Sequence, residues 1–171
     1  MATFVERVIG AARLNAGIYE EVETDVSASG QAMGVVLLSS IGAGIGAFGT
    51  LGLRGLLTGI VGSFLGWFLW AWLTYFVGTR ILPSPETRAD WMQLLRTTGF
   101  ATAPGILGVL GFFPVFRGFI FFVTSLWSLI AFVVAVRQAL DYTSTLRALC
   151  VCAIGWIIYV AMISLLLGTW G

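Results

Sequence analysis

Histidine and lysine are absent from this 171-residue chain, and cysteine occurs only twice. Without histidine the commonest metal ligand and the usual axial ligand of haem are missing, so no metal and no cofactor is expected. Cys150 and Cys152 stand two positions apart in an apolar run. On a helix they diverge by roughly 200°, which excludes both a disulfide and a shared metal between them. Charge is scarce as well, at 10% of residues against about a quarter in ordinary globular chains. The net charge of +1 comes with no basic stripe, which removes the electrostatic footprint of nucleic-acid binding. A glycine-rich phosphate loop, a metal-ligand cluster and a nucleophile–base pair are all missing, so the chain reads as a non-enzyme. Met1–Gly10 carries Glu6 and Arg7 where a secretory signal would have a basic start and an apolar core, so no signal peptide is expected.

What the chain has is apolar length. It is 58% hydrophobic with a mean hydropathy of +0.98, too apolar to cover the surface of a soluble domain. Charged residues punctuate it into the uncharged runs 26–53, 55–79, 97–116, 118–136 and 148–171. A spanning helix needs roughly 20 apolar residues, so each run can cross a bilayer once and none can cross twice. The predicted architecture is all-α: a cytoplasmic amphipathic segment over 1–31, then a bundle of five transmembrane helices near 32–53, 55–78, 97–116, 118–136 and 148–168. Arginine sets the orientation. Five spans place Arg7, Arg13, Arg80, Arg88, Arg96, Arg137 and Arg147 on one side, and only Arg54 and Arg117 on the other. The positive-inside rule then puts the N-terminus in the cytoplasm and the C-terminus outside.

Two cytoplasmic interfacial helices are expected. The first is Met1–Arg13, with Phe4, Val5, Val8 and Ile9 on one face, which suits either a helix lying in the membrane interface or a solvated helix packed on the protein's own cytoplasmic face. The second restarts after Leu82-Pro83, with Ser84 as cap and Pro85 in the first turn. The acidic stretch Gly17–Asp25 lacks the ligand spacing of a calcium loop and reads as a solvated linker or short helix. Arg137 and Asp141 are placed to pair one helical turn apart.

The first two spans are dense in glycine. The pairs Gly42/Gly46, Gly55/Gly59 and Gly62/Gly66 have the small-xxx-small spacing that lets helix backbones approach in lipid. They are the helix-packing candidates, either between these two spans or toward another subunit or a second copy. Pro104 and Pro114 in the third span are helix-bend candidates. The bilayer itself is the first partner, and a lipid or quinone contact between helices fits the composition.

Several segments resemble the Yip-domain family, the Ypt-interacting five-span membrane proteins, in its prokaryotic branch. They are Arg7-Val8-Ile9 through Tyr19-Glu20-Glu21-Val22, Trp67-Phe68-Leu69-Trp70, Thr74-Tyr75-Phe76-Val77-Gly78, the Thr98–Pro104 run, and Val136–Asp141 with Arg147-Ala148. The resemblance implies five helices with a cytoplasmic N-terminus in a prokaryotic inner membrane. Eukaryotic members act in vesicle trafficking through Rab GTPases, but their Asp-Leu-Tyr-Gly-Pro-type motif has no counterpart here, so Rab binding is not carried over. The expected function is a non-enzymatic scaffold or accessory subunit of a larger membrane complex, a respiratory or photosynthetic electron-transfer complex being one host. The alternative is a small-solute transporter or channel that uses the bent third span and the hydroxyl and glycine positions as its pathway.

Overall fold

The computed structural model describes residues 1–168. Two short helices, α1 (Phe4–Ala12) and α2 (Ala16–Thr24), precede a 49-residue helical stretch, α3 (Ala28–Phe76), which ends in a π-helical turn over Val77–Ile81. After a helix-free passage come α4 (Trp91–Phe100), a 3-10 helix (Ala103–Phe112), α5 (Arg117–Ala139) and α6 (Thr145–Gly168). Among the described residues four helical lengths are long and apolar enough to cross a membrane: Ala28–Phe48, Gly52–Ile81, Arg117–Ala139 and Thr145–Met162.

The first two of these are arms of one hairpin. Gly52, at φ 61° and ψ −166°, makes the reversal, in a region that residues bearing a Cβ avoid. Beyond it Gly44 on the first arm faces Leu56 on the second. Toward the other end, Ala32 and Trp67 meet against the same residue, Gly99. The turn therefore falls two residues before Arg54, the junction expected from charge. Charge marked where the apolar run ends, whereas backbone freedom chose where the chain turns.

The third apolar run differs most from expectation. Residues 97–116 do not form one spanning α-helix. Instead α4 stops at Phe100, four residues before Pro104, whose ring excludes the carbonyl at that distance and whose nitrogen has no proton to give it. The chain continues as a 3-10 helix of three residues per turn, which stacks Gly105, Gly108 and Gly111 along a single edge. That edge lies on the first arm of α3. Gly99 meets Ala32, the Ser39 hydroxyl donates to Thr102 O at 2.6 Å, Gly108 meets Ala43, and Gly111 meets Gly46. Residue numbers rise together on both elements, so the two run parallel. The first arm covers about 21 Å between residues 32 and 46. Residues 99–111 keep pace at roughly 1.75 Å each, between the α and 3-10 rises.

The passage between α3 and α4 also departs from the sequence reading. The helix restarts at Trp91, not near Ser84, with Asp90 N donating to the side chain of Gln93. Ser84 spends its hydroxyl on the Glu86 carboxylate. At the end of α5, Asp141 adopts φ 52° and no ion pair with Arg137 forms; Arg137 donates instead to the carbonyls of Tyr142 and Thr143. Trp67 points inward and donates to Leu95 O and the Thr98 hydroxyl, whereas Trp72 is exposed and stacks on Phe76.

Residues 1–31 share the core of the chain that follows. Ala11, Tyr19 and Val22 are fully buried in one cluster with Ala32, Val35, Trp67, Phe100 and Ala135. The Trp127 indole of α5 donates to Ala12 O at 2.7 Å, which ties the end of α1 to a residue more than two turns inside that helix.

A glycine-floored cleft and a charged N-terminal cluster

A cavity of about 620 Å³ lies between the second arm of α3, the 3-10 helix and α5. Its floor is backbone. A Cβ on Gly46, which lines the cavity, would stand only 2.2 Å from Gly108 O, and one on Gly42, just outside the lining, 2.6 Å from Ile106 O. One wall carries Gly55, Gly59 and Ser63; the other carries Gly118, Phe121, Thr124, Ser125 and Ser128, with Arg117 at its start. Ser40 and Thr124 turn their hydroxyls back to Val36 O and Ile120 O within their own helices. Arg117 gives its Nε proton to Gly111 O at 3.2 Å.

The six glycines singled out by spacing separate into different environments. Gly42 and Gly46 face the 3-10 helix rather than the second arm. Gly55 and Gly59 line the cleft. A Cβ on Gly66 would stand 3.7 Å from the Tyr159 hydroxyl of α6. Around Gly59 and Gly62 nothing stands within 4 Å of where a Cβ would be, and both are exposed. Of the two prolines, Pro104 is buried at the start of the 3-10 helix, and Pro114 is exposed at the turn into α5. Spacing found the glycines, yet the 3-10 edge that receives two of them carries glycine at every third position, a pattern that α-helical periodicity does not select.

The other polar assembly sits at the N-terminal end. Arg7 is only 2% exposed and donates to Glu21 and Asp25 at 2.7 Å each and to Gln31 at 3.0 Å. Its hydrogen bond holds the Glu21 carboxyl below its ordinary value. Asp25 is held down first by the Ser27 hydroxyl and then by Arg7. Arg96, also buried, caps α2 by donating to Val22 O and Glu23 O. The acidic stretch is thus a helix whose carboxylates answer a buried cation, and not a solvated linker. Among the described residues no cluster of His, Cys, Asp or Glu is arranged to hold a metal ion.

Glu23 is the exception in this cluster. Burial, reinforced by Asp141 and Glu20 and offset in part by Arg96, pushes its carboxyl up to about 7. The folded state therefore favours the proton that an unfolded chain releases near pH 4.5. The resulting stabilisation is complete below that pH and is lost as pH rises through about 7. We expect amide exchange in α2, corrected for intrinsic rate, to be slower at pH 6 than at pH 8. Glu23→Gln should abolish the difference. Equal protection of the wild-type helix at both pH values would refute this.

A family model described as the Yip1 domain matches residues 16–166, which takes in α2 and all that follows except the end of α6. No curated protein and no solved structure matches the chain.

Proposed function

The chain belongs to the Yip1 domain family, and from that premise we propose a non-enzymatic scaffold or accessory subunit that acts through lateral helix contact inside the membrane. The supporting observation is the open glycine ridge of α3 at Gly62, outside the cleft lining, where nothing stands within 4 Å of a Cβ position. Each glycine in a helix interior costs about 1 kcal/mol relative to alanine. In lipid the return on that cost is close approach by another backbone. Inside the chain Gly42 and Gly46 obtain that return from the 3-10 helix. The occupant we assign to the ridge is a transmembrane helix of another subunit.

We further infer five passages, the third made by α4 and the 3-10 helix together. Its parallel run beside the first arm supports this, because first and third passages must travel in the same direction. The seven-to-two arginine asymmetry supports a cytoplasmic N-terminus and an outward C-terminus, and the resemblance to the prokaryotic branch of the family supports residence in a prokaryotic inner membrane. The tail 169–171 lies outside the described residues. Helices α1 and α2 would rest at the cytoplasmic interface, where the exposed Val5 and Ile9 face lipid.

A second reading, solute transport, draws on the hydroxyls that line the cleft. Against it stands the packed core of Trp67, Phe100, Ala101 and Ala103 on the cytoplasmic side. Native electrophoresis of mildly solubilised membranes separates the two. Wild-type chain should migrate in a large, defined complex, and Gly62→Leu should release it as a folded single chain. Migration of the wild type alone would sink the scaffold, and solute uptake by reconstituted vesicles would then establish transport.

A further inference from the structure

We propose that the cleft is a binding site for one glycerophospholipid of the outer leaflet, with its phosphate on Arg117 and an acyl chain along the glycine floor. The first ground is charge. Arg117 lines the cleft, and among the described residues it has no ion pair; the ion pairs described all belong to Arg7. All eight acidic residues fall in the segments assigned to the opposite side of the membrane, so the protein supplies no counter-anion where Arg117 lies. An arginine that has given only its Nε proton, to Gly111 O, keeps its terminal nitrogens for an anion, and a planar guanidinium fits phosphate oxygens two at a time.

The second ground is unused polarity beside apolar length. Among the described residues the hydroxyls of Ser63, Ser125 and Ser128 have no hydrogen-bond partner, although all three line the same cavity. Ser125 and Ser128 lie about 12 and 16 Å along α5 from Arg117 at the α-helical rise. The ester carbonyls of a glycerophospholipid sit only a few bonds beneath its phosphate, so these hydroxyls lie alongside the acyl chain and the polar anchor of the site is Arg117. A volume of about 620 Å³ is in the range of small-molecule sites, and its glycine and phenylalanine surface suits a hydrocarbon chain better than a free anion. This site does not depend on the partner helix proposed for Gly62, which is outside the cavity lining.

The test uses purified full-length chain in detergent, titrated with dioleoyl phosphatidylglycerol and read by native mass spectrometry as retained lipid. Wild type should retain one lipid, and Arg117→Gln should need about tenfold more for the same occupancy. Arg54→Gln, at the other arginine assigned to that side, should bind like wild type. Ser128→Leu, which fills the cleft from its wall, should also weaken retention if Arg117→Gln proves poorly folded. Inorganic phosphate should not displace the lipid. Equal retention by wild type and Arg117→Gln, an equal loss in Arg54→Gln, unchanged retention in Ser128→Leu, or displacement by phosphate alone would each overturn the proposal.

Discussion

Replacing Gly46 by leucine should leave no folded membrane domain, and even alanine there should melt well below wild type. A single Cβ at this position would lie 2.2 Å from Gly108 O, and Gly108 in turn has Ala43 Cα 3.0 Å from its own Cβ position. The obstructing atoms are backbone on both sides, so no rotamer change can relieve the clash. The 3-10 helix would have to lift from the first arm of α3. Lifting it would also break the Ser39–Thr102 hydrogen bond and open the contact between Gly111 and Gly46. Overpacking by a few methylenes in a core that can adjust costs about 1–3 kcal/mol. Here the alanine should reach the top of that range and the leucine exceed it. Gly62→Ala is the matched control, because nothing lies within 4 Å and the helix gains up to about 1 kcal/mol in propensity. Thermal unfolding in detergent, followed by gel filtration, reads both. A Gly46→Ala protein that melts with wild type would show that this backbone contact is absent.

Removing the Arg7 side chain should free the α1–α2 hairpin while leaving the transmembrane helices assembled. Arg7→Ala strands two carboxylates that are 2.7 Å from its guanidinium in the native protein, and leaves Gln31 without its donor. Losing one partner of a buried ion pair costs about 3–5 kcal/mol. Glu21 is 27% exposed on its side chain and Asp25 10%, so partial hydration should bring the loss toward the lower figure. Arg7→Lys should rescue only in part, since one ammonium cannot match a fork that reaches both acids and the amide. Combining Arg7→Met with Glu21→Gln and Asp25→Asn should recover much of the loss by removing the uncompensated charge. Limited proteolysis of residues 1–25 is the readout, and unchanged protection in Arg7→Ala would refute the assignment. Acid acts in the same sense. Glu21 and Asp25 are held below their ordinary values, so the stability they contribute is lost as pH falls below about 4.

The membrane class, the long apolar lengths and their arginine asymmetry were legible in the chain alone. Each is a property of composition along a line: a bilayer asks for about 20 apolar residues, and charge accumulates where they stop. The glycine pairs were legible as well, because close helix approach in lipid requires small residues at a fixed spacing. Their partners were not. Gly42 and Gly46 lie against residues some 60 positions away, on an element whose 3-10 geometry follows from one proline and three glycines in succession. The buried Arg7 was equally hidden, since a lone arginine in an amphipathic helix looks solvated until Glu21, Asp25 and Gln31 close around it. Sequence by itself determined that this protein lives in a membrane and roughly where its apolar lengths end. Tertiary structure decided which glycines meet inside the protein, which are left open, and that Arg117 borders a cleft with no acid to neutralise it, because contact between distant segments leaves no periodic trace in either one.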